Sequence, residues 1–292
     1  MPAPAARQLA AFEAARPRLI GVAYRMLGAM AEAEDAVQDA WLRWQAGDRS
    51  GVAVPEAWLV RATTRLCLDR LRAARARRET YPGPWLPEPV AAPPTEDPEE
   101  DISLALMLAL ERLSALERAA FLLHDVFGTP FEEVARTLGR DTAACRQLAA
   151  RARRHVRAAR PRFAVAEEEG LRIAHAFSEA SRTGDATALG ALLAGDVRFV
   201  SDGGGQRPAA PRPLEGAARV LRLLIGLARL SRDRTLPAPE FRFLNGLPGI
   251  VQVAADGEVQ TTTLQVEEGR ITGIYVMRNP GKLSRFRSAP QA

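Results

Sequence analysis

Two sets of residues in this chain of 292 have types and spacings that can do chemistry. The first is arginine. Wound at about 100° per residue, residues 142–160 bring Arg146, Arg153, Arg157 and Arg160 onto one arc, with Thr142 above them. Guanidinium groups in such a row meet phosphates and, as paired N–H donors, base edges. A basic, solvated helix face produces the same pattern, so the arginines alone decide nothing. The second set is carboxylate. Asp202 opens the run Asp202-Gly203-Gly204-Gly205 and is placed to act as a general base at a cavity mouth. No acid partner is evident, and a turn-forming aspartate reads about as well. The glycines are not a phosphate loop, because Gln206 and Arg207 stand where Lys-Ser/Thr is required. No catalytic residue is assigned, and Asp202→Ala is expected to leave folding near normal.

The elements around the arginine row decide its reading. Residues 113–157 predict a helix, a second short helix, a turn and a long arginine-rich helix, the order of a helix-turn-helix DNA reader. Pro130 suits the first turn of the short helix. Gly139 suits its left-handed end, and Asp141 the cap of the next. Cys145, Leu148, Ala152, Val156 and Ala159 form the opposite, packing arc. Earlier in the chain, Arg61, Arg65, Arg72 and Arg75 share an arc of about 80° on a helix that also carries Trp58. A basic stripe beside tryptophans suits backbone tracking and base stacking on a single strand. Glu32, Glu34, Asp35 and Asp39 crowd the start of another helix, where they complement its dipole or meet a basic partner protein.

Composition sets limits. Net charge is only +5, but seven arginines fall within 61–78 and eight within 140–162, and Lys282 is the single lysine. The longest apolar run, near 220–230, is broken by Arg222 and Arg229 and is too short to span a bilayer. The first residues have no signal-peptide core, so a cytoplasmic protein without membrane contact is expected. Cys67 and Cys145 read as core fillers, and His124, His155 and His175 are scattered. No metal site and no cofactor are expected.

Four segments follow. Residues 1–80 read as a helical module, with Gly28 ending the first helix and Pro55 opening the third. Residues 81–102 are a proline-rich linker in which Trp85 is a large aromatic wanting a docking site. Residues 103–162 hold the helix-turn-helix. Residues 163–292 alternate helices near 171–183, 186–193 and 217–230 with strands near 197–201, 240–244, 249–254, 259–266 and 271–277. Asp256-Gly257 and Glu268-Gly269 are predicted hairpin turns. This is an α+β pattern with a concave, ligand-sized cavity.

At the level of whole motifs the chain resembles an extracytoplasmic-function sigma factor of the group with a fused C-terminal SnoaL-like (NTF2-like) domain. AYRMLGAMAEAEDAVQDAWLRW and WLVRATTRLCLDRLR are similar to the polymerase-gripping and minus-ten-reading parts of region 2. Three short motifs of the group are recognisable: WLPEP from Trp85, DGGG from Asp202 and NPGKL from Asn279. The group usually has lysine where Gln206 stands and an acid where Gly281 stands, and many such factors have asparagine at the place of Arg65. The resemblance implies a multidomain protein: two all-α sigma modules, region 2 and a region 4 helix-turn-helix, and a C-terminal α+β cone. It implies binding of core RNA polymerase at the β′ clamp and β flap, with Asp35, Gln38, Asp39 and Trp41 as contacts. Trp58, Arg61, Arg65 and Arg72 would meet minus-ten DNA. Thr142, Arg146, Gln147, Arg151, Arg153 and Arg157 would meet the minus-thirty-five element of promoter DNA. Trp85, Leu86, Pro87, Glu88, Asp202, Gly203, Gly204, Asn279 and Pro280 would make regulatory contacts, with Trp85 buried near the 202–205 turn and the 279–283 tail closing over it. No separate anti-sigma factor would be required, and an unknown small ligand could occupy the cone. A SnoaL-type enzyme or ligand-sensing domain fused to a DNA reader, and a ligand-sensing repressor, are the alternatives.

Overall fold

The computed structural model describes residues 4–49, 51–78, 81–92, 95, 101–159, 165–231, 236–253 and 257–286. They fall into two compact units. The first is bounded by Met1–Thr80, Glu96–Asp101 and Ala105–Arg160, the second by Tyr81–Thr95, Ile102–Leu104 and Pro161–Ala292.

The first unit is helical. α1 (Pro4–Leu27), α2 (Met30–Gln45) and α3 (Pro55–Arg78) form a bundle around Leu19, Ala23, Val37, Ala40, Trp44, Leu59 and Leu66, all buried. These residues recur at three and four, so each helix turns one apolar stripe inward. Gly28 takes φ +73°, which lets the chain leave α1 without a Cβ clash. α4 (Leu104–Glu111) and α5 (Ala115–Phe121) lead into a π-helical turn, Leu122–Val126, that the sequence pattern did not reveal. Ser114 and Glu117 close a reciprocal capping box at the start of α5. α6 (Phe131–Leu138) and α7 (Thr142–Ala159) complete the helix-turn-helix. Gly139 is left-handed at the end of α6, and Asp141 Oδ1 accepts the Ala144 N–H at 2.7 Å. Pro130 occupies the N-cap of α6 rather than its first turn.

The second unit is α+β. α8 (Glu167–Thr183), which begins four residues before the predicted helix, α9 (Ala186–Leu192) and α10 (Ala217–Ser231) pack on one six-stranded sheet. Its strands are β1 (Leu193–Asp202), β2 (Leu214–Glu215), β3 (Glu240–Leu244), β4 (Leu247–Val253), β5 (Val259–Glu267) and β6 (Arg270–Met277), in the order β2-β1-β6-β5-β4-β3. Among the described residues only β1 and β6 pair in parallel. Glu268-Gly269 turns with both φ positive, as does Asn245-Gly246 between β3 and β4. Asp256 of the other predicted hairpin lies outside the described residues.

Strand side chains alternate between faces. Val197, Phe199, Leu264, Val266, Ile274 and Val276 face the helices with Ile173 and Phe177. The opposite face carries Thr261, Thr263, Tyr275 and Met277, and against it lie Leu86, Pro87 and Pro89. Residues 86–89 of the linker therefore cover this face of the sheet, and the expected concave, ligand-sized cavity is corrected by this finding. The space left is about 10 Å³, room for about one water. Among the described residues no helix is long and apolar enough to cross a membrane, and no group of three His, Cys, Asp or Glu is placed to hold a metal ion.

Candidate functional site

Asp202 ends β1 and is fully buried. Its Oδ1 accepts the Tyr81 hydroxyl at 2.5 Å and the Gly204 N–H at 3.0 Å. Its Oδ2 accepts the Leu86 N–H at 2.9 Å and Lys282 Nζ at 2.8 Å. A carboxylate offers about four acceptor positions, and all are taken. Lys282, 8% exposed, also donates to the Leu86 carbonyl at 2.6 Å, and its Nζ sits 4.0 Å from the Trp85 ring centroid, a cation–π contact. Asn279 Nδ2 donates to the Tyr81 hydroxyl at 2.9 Å, and its Oδ1 accepts the Gly281 N–H at 3.0 Å. Pro280 starts the short 3-10 turn Pro280–Lys282 that presents the lysine. The glycines are required by space. Gly204 has φ +62°, and a Cβ there would run into the Asn279 side chain; at Gly203 it would run into the Arg207 carbonyl.

A second fastening sits on β3–β4. Asn245, buried with φ +49°, hydrogen-bonds the linker and the start of α4. Its Oδ1 accepts the Val90 N–H at 3.0 Å and its Nδ2 donates to the Ile102 carbonyl at 2.9 Å. Its N–H donates to the Val90 carbonyl at 2.8 Å, and its carbonyl accepts the Leu104 N–H at 2.9 Å. Residues 81–92 and 102–104 are thus integral to this unit. Trp85 departs from expectation: it is half-buried, a cover over Lys282, while Leu86, Pro87, Glu88 and Pro89 are the buried residues. The Glu88 carboxylate lies 3.7 Å from Arg285.

The helical unit places its predicted residues unevenly. Asp35 and Gln38 are exposed on α2 beside Leu42, 52% exposed. Asp39 pairs with Arg70 at 2.6 Å, and Trp41 packs on Phe12 at 4.7 Å between centroids. Trp58 packs on Trp44 at 5.1 Å, with the Arg49 guanidinium 4.3 Å from its centroid. Arg61 is half-buried, and Arg65 and Arg72 are exposed, Arg72 beside Asp69 at 3.1 Å. On α7, Arg146, Gln147 and Arg157 are exposed and Thr142 half-buried. Arg146 lies 3.8 Å from Glu132. Arg151 and Arg153 turn back to the scaffold, meeting Glu117 at 3.3 Å and Asp125 at 2.5 Å. Burial raises the Asp125 carboxyl above its ordinary value, against the lowering pull of Arg153. Burial also acts to raise Glu117, but Ser114 hydrogen bonds and Arg151 outweigh it and hold it low. The Arg75 side chain and Arg160 lie outside the described residues.

Two family models match the helical unit: Sigma-70 region 2 over residues 11–77 and Sigma-70, region 4 over 103–156. Over 95% of the chain and 93% of the relative, the sequence is 38% identical to the ECF RNA polymerase sigma factor SigJ of Mycobacterium tuberculosis. The chain belongs to the extracytoplasmic-function sigma factors. It is also 30% identical to the probable ECF sigma factor SigI of M. tuberculosis over 96% of each chain. The crystal structure of M. tuberculosis SigJ superposes with a TM-score of 0.74 at 36% identity, covering 94% of this chain and 98% of that one. The match spans both units, so the α+β unit belongs to the sigma factor's own architecture.

Tyr81, Asn245 and Lys282 were not among the site residues read from the sequence of this sigma factor. Lys282 carried a signal, as the one lysine among 40 basic residues. Asn245-Gly246 is a hairpin dipeptide, but nothing local says the asparagine would face the linker. Tyr81 carried none.

Proposed function

We propose that this sigma factor is regulated in cis by its C-terminal unit, through the linker between its DNA-binding modules. The α2 face with Asp35, Gln38, Asp39 and Trp41 docks core RNA polymerase at the β′ clamp, and the region 4 module meets the β flap. α3 holds single-stranded minus-ten DNA through Trp58, Arg61, Arg65 and Arg72. α7 reads the minus-thirty-five major groove through Thr142, Arg146 and Gln147, with Arg157 on phosphates; Arg151 and Arg153 steady the helix through their acids. No separate anti-sigma factor is needed.

The observation that carries this reading is the Asp202–Lys282 clasp on Leu86. It makes residues 81–92 of the chain between regions 2 and 4 a part of the C-terminal unit. Freed, the 12 residues 81–92 would reach about 40 Å when extended; held, they add little reach. The unit therefore sets the span available to the two modules. The same geometry supports a docking body rather than an enzyme, because Asp202 has no lone pair left for a substrate proton. Purified full-length chain should bind core polymerase and yield start-site-specific transcripts. Loss of residues 163–292 should change that output strongly. If the full-length and shortened chains both fail to bind core polymerase, the reading falls.

A further inference from the structure

We propose that Arg65 is a latch that shuts the two DNA-binding modules against each other, so that minus-ten single strand and the end of α6 compete for one guanidinium. Arg65 Nε donates to the Thr137 carbonyl at 3.1 Å and its Nη2 to the Arg136 carbonyl at 2.9 Å. These carbonyls belong to the last turn of α6, where the helix leaves acceptors unpaired and its dipole is negative. A planar fork presents two N–H groups from separate nitrogens at a spacing that suits two adjacent carbonyls; the single nitrogen of an ammonium lacks that fixed geometry.

The seam around this contact is built from more arginines. Arg18 Nη2 donates to the Phe127 carbonyl, and the Arg18 and Arg25 guanidiniums lie 5.5 and 5.4 Å from the Phe127 ring centroid. Arg118 reaches the other way, donating to the Met26 carbonyl at 2.6 Å while pairing with Glu111 at 2.7 Å. Arg25 and Arg118 are 1% and 2% exposed. Charges this deep persist only where partners are in place, so the closed pair is a specified state.

The latch rests on the sigma-factor reading. Minus-ten and minus-thirty-five elements lie about 25 base pairs apart, about 85 Å at 3.4 Å per pair. Modules held in hydrogen-bond contact cannot sit on both. Arg65 shares its arc with Arg61 and Arg72, and it cannot serve α6 and the strand together. Strand capture on α3 therefore releases α6, and separation of the modules frees α3: the two equilibria are coupled.

The test uses the full-length chain with Ala31→Cys on α2 and Ala150→Cys on α7, both exposed sites, carrying a donor and an acceptor dye. The native Cys67 and Cys145 are buried. Energy transfer should be high in the free protein. Arg65→Lys, which keeps the charge but loses the fork, and Arg65→Gln should both lower it and tighten core-polymerase binding several-fold. A minus-ten single-stranded oligonucleotide should lower transfer in the otherwise wild-type chain and much less in Arg65→Gln. Low transfer in the free wild type, or transfer and core affinity unchanged in both variants, overturns the latch. Run-off transcription by the same labelled wild-type chain reports on the sigma reading separately; a chain that transcribes while the variants change nothing sinks the latch alone.

Discussion

Removing the Asp202 carboxylate should undock the linker. In Asp202→Ala, Lys282 Nζ keeps its place, 8% exposed, but loses its counter-charge. Breaking a buried pair from one side costs about 3–5 kcal/mol. The Leu86 N–H also loses its acceptor. The expectation that this variant folds near normally is therefore replaced: the second unit should lose its linker layer. At about 1.4 kcal/mol per tenfold, the Leu86 amide should exchange faster by a factor between about 10² and several thousand, up to the limit set by docking itself. Hydrogen exchange on the full-length chain reads this at residues 84–92, with α1 and α2 as unaffected internal standards. Lys282→Met alone should cost a similar amount, because it strands the carboxylate. The double substitution should recover much of the loss, since no charge is then buried unpaired. If exchange at Leu86 changes by less than about threefold in Asp202→Ala, or if the two single effects simply add, the clasp is not a coupled ion pair and the reasoning fails.

Other outcomes are expected. Gly204→Ala meets Asn279 at φ +62° and should expose the linker to protease in the folded chain; unchanged cleavage within 81–92 would count against the clasp's tight fit. Arg146→Ala should shift base preference in the minus-thirty-five element by about 1–3 kcal/mol, while Arg157→Ala should weaken all sequences alike and lower the salt slope by about one; equal losses on every sequence from Arg146→Ala would reject base reading. Burial pushes the Cys67 thiol up to about 12 from 9.0, so the folded state holds its proton longer than the unfolded one. Stability from this group is complete below about pH 9 and declines as pH rises from there toward 12, and alkylation of Cys67 at pH 8 should need unfolding. Rapid labelling of native protein would contradict that.

Element placement was legible wherever periodicity and punctuation agreed. Gly28, Pro55, Gly139 and Asp141 fixed helix ends because each supplies a backbone conformation or cap that few residues supply. The β3, β5 and β6 strands were read as strand-like segments, β5 and β6 with the Glu268-Gly269 turn between them. The π-helical turn Leu122–Val126 was not legible, because its residues are as apolar as α-helix and the widening depends on packing. The site was legible in part. Asp202, the glycines, Asn279 and the WLPEP segment stood out as regulatory contacts, but the hydrogen bonds that join them did not. A carboxylate at a cavity mouth and a carboxylate saturated by Tyr81, Gly204, Leu86 and Lys282 have the same sequence. Only long-range packing, across 116 residues from Leu86 to Asp202, separates them. Arg153 shows the same limit: the helical wheel puts it on the arc read as facing DNA, and Asp125 on a neighbouring element draws it back; Arg151, which only the family resemblance placed at DNA, is drawn to Glu117.

The most direct measurement is run-off transcription with purified core RNA polymerase, comparing the full-length chain with Lys282→Met at matched concentrations. The account predicts transcripts from one defined start site with both proteins, and an output that differs between them by several-fold because the linker is held in one and free in the other. No start-site-specific transcript from either protein, or identical output from both across the titration, would contradict it.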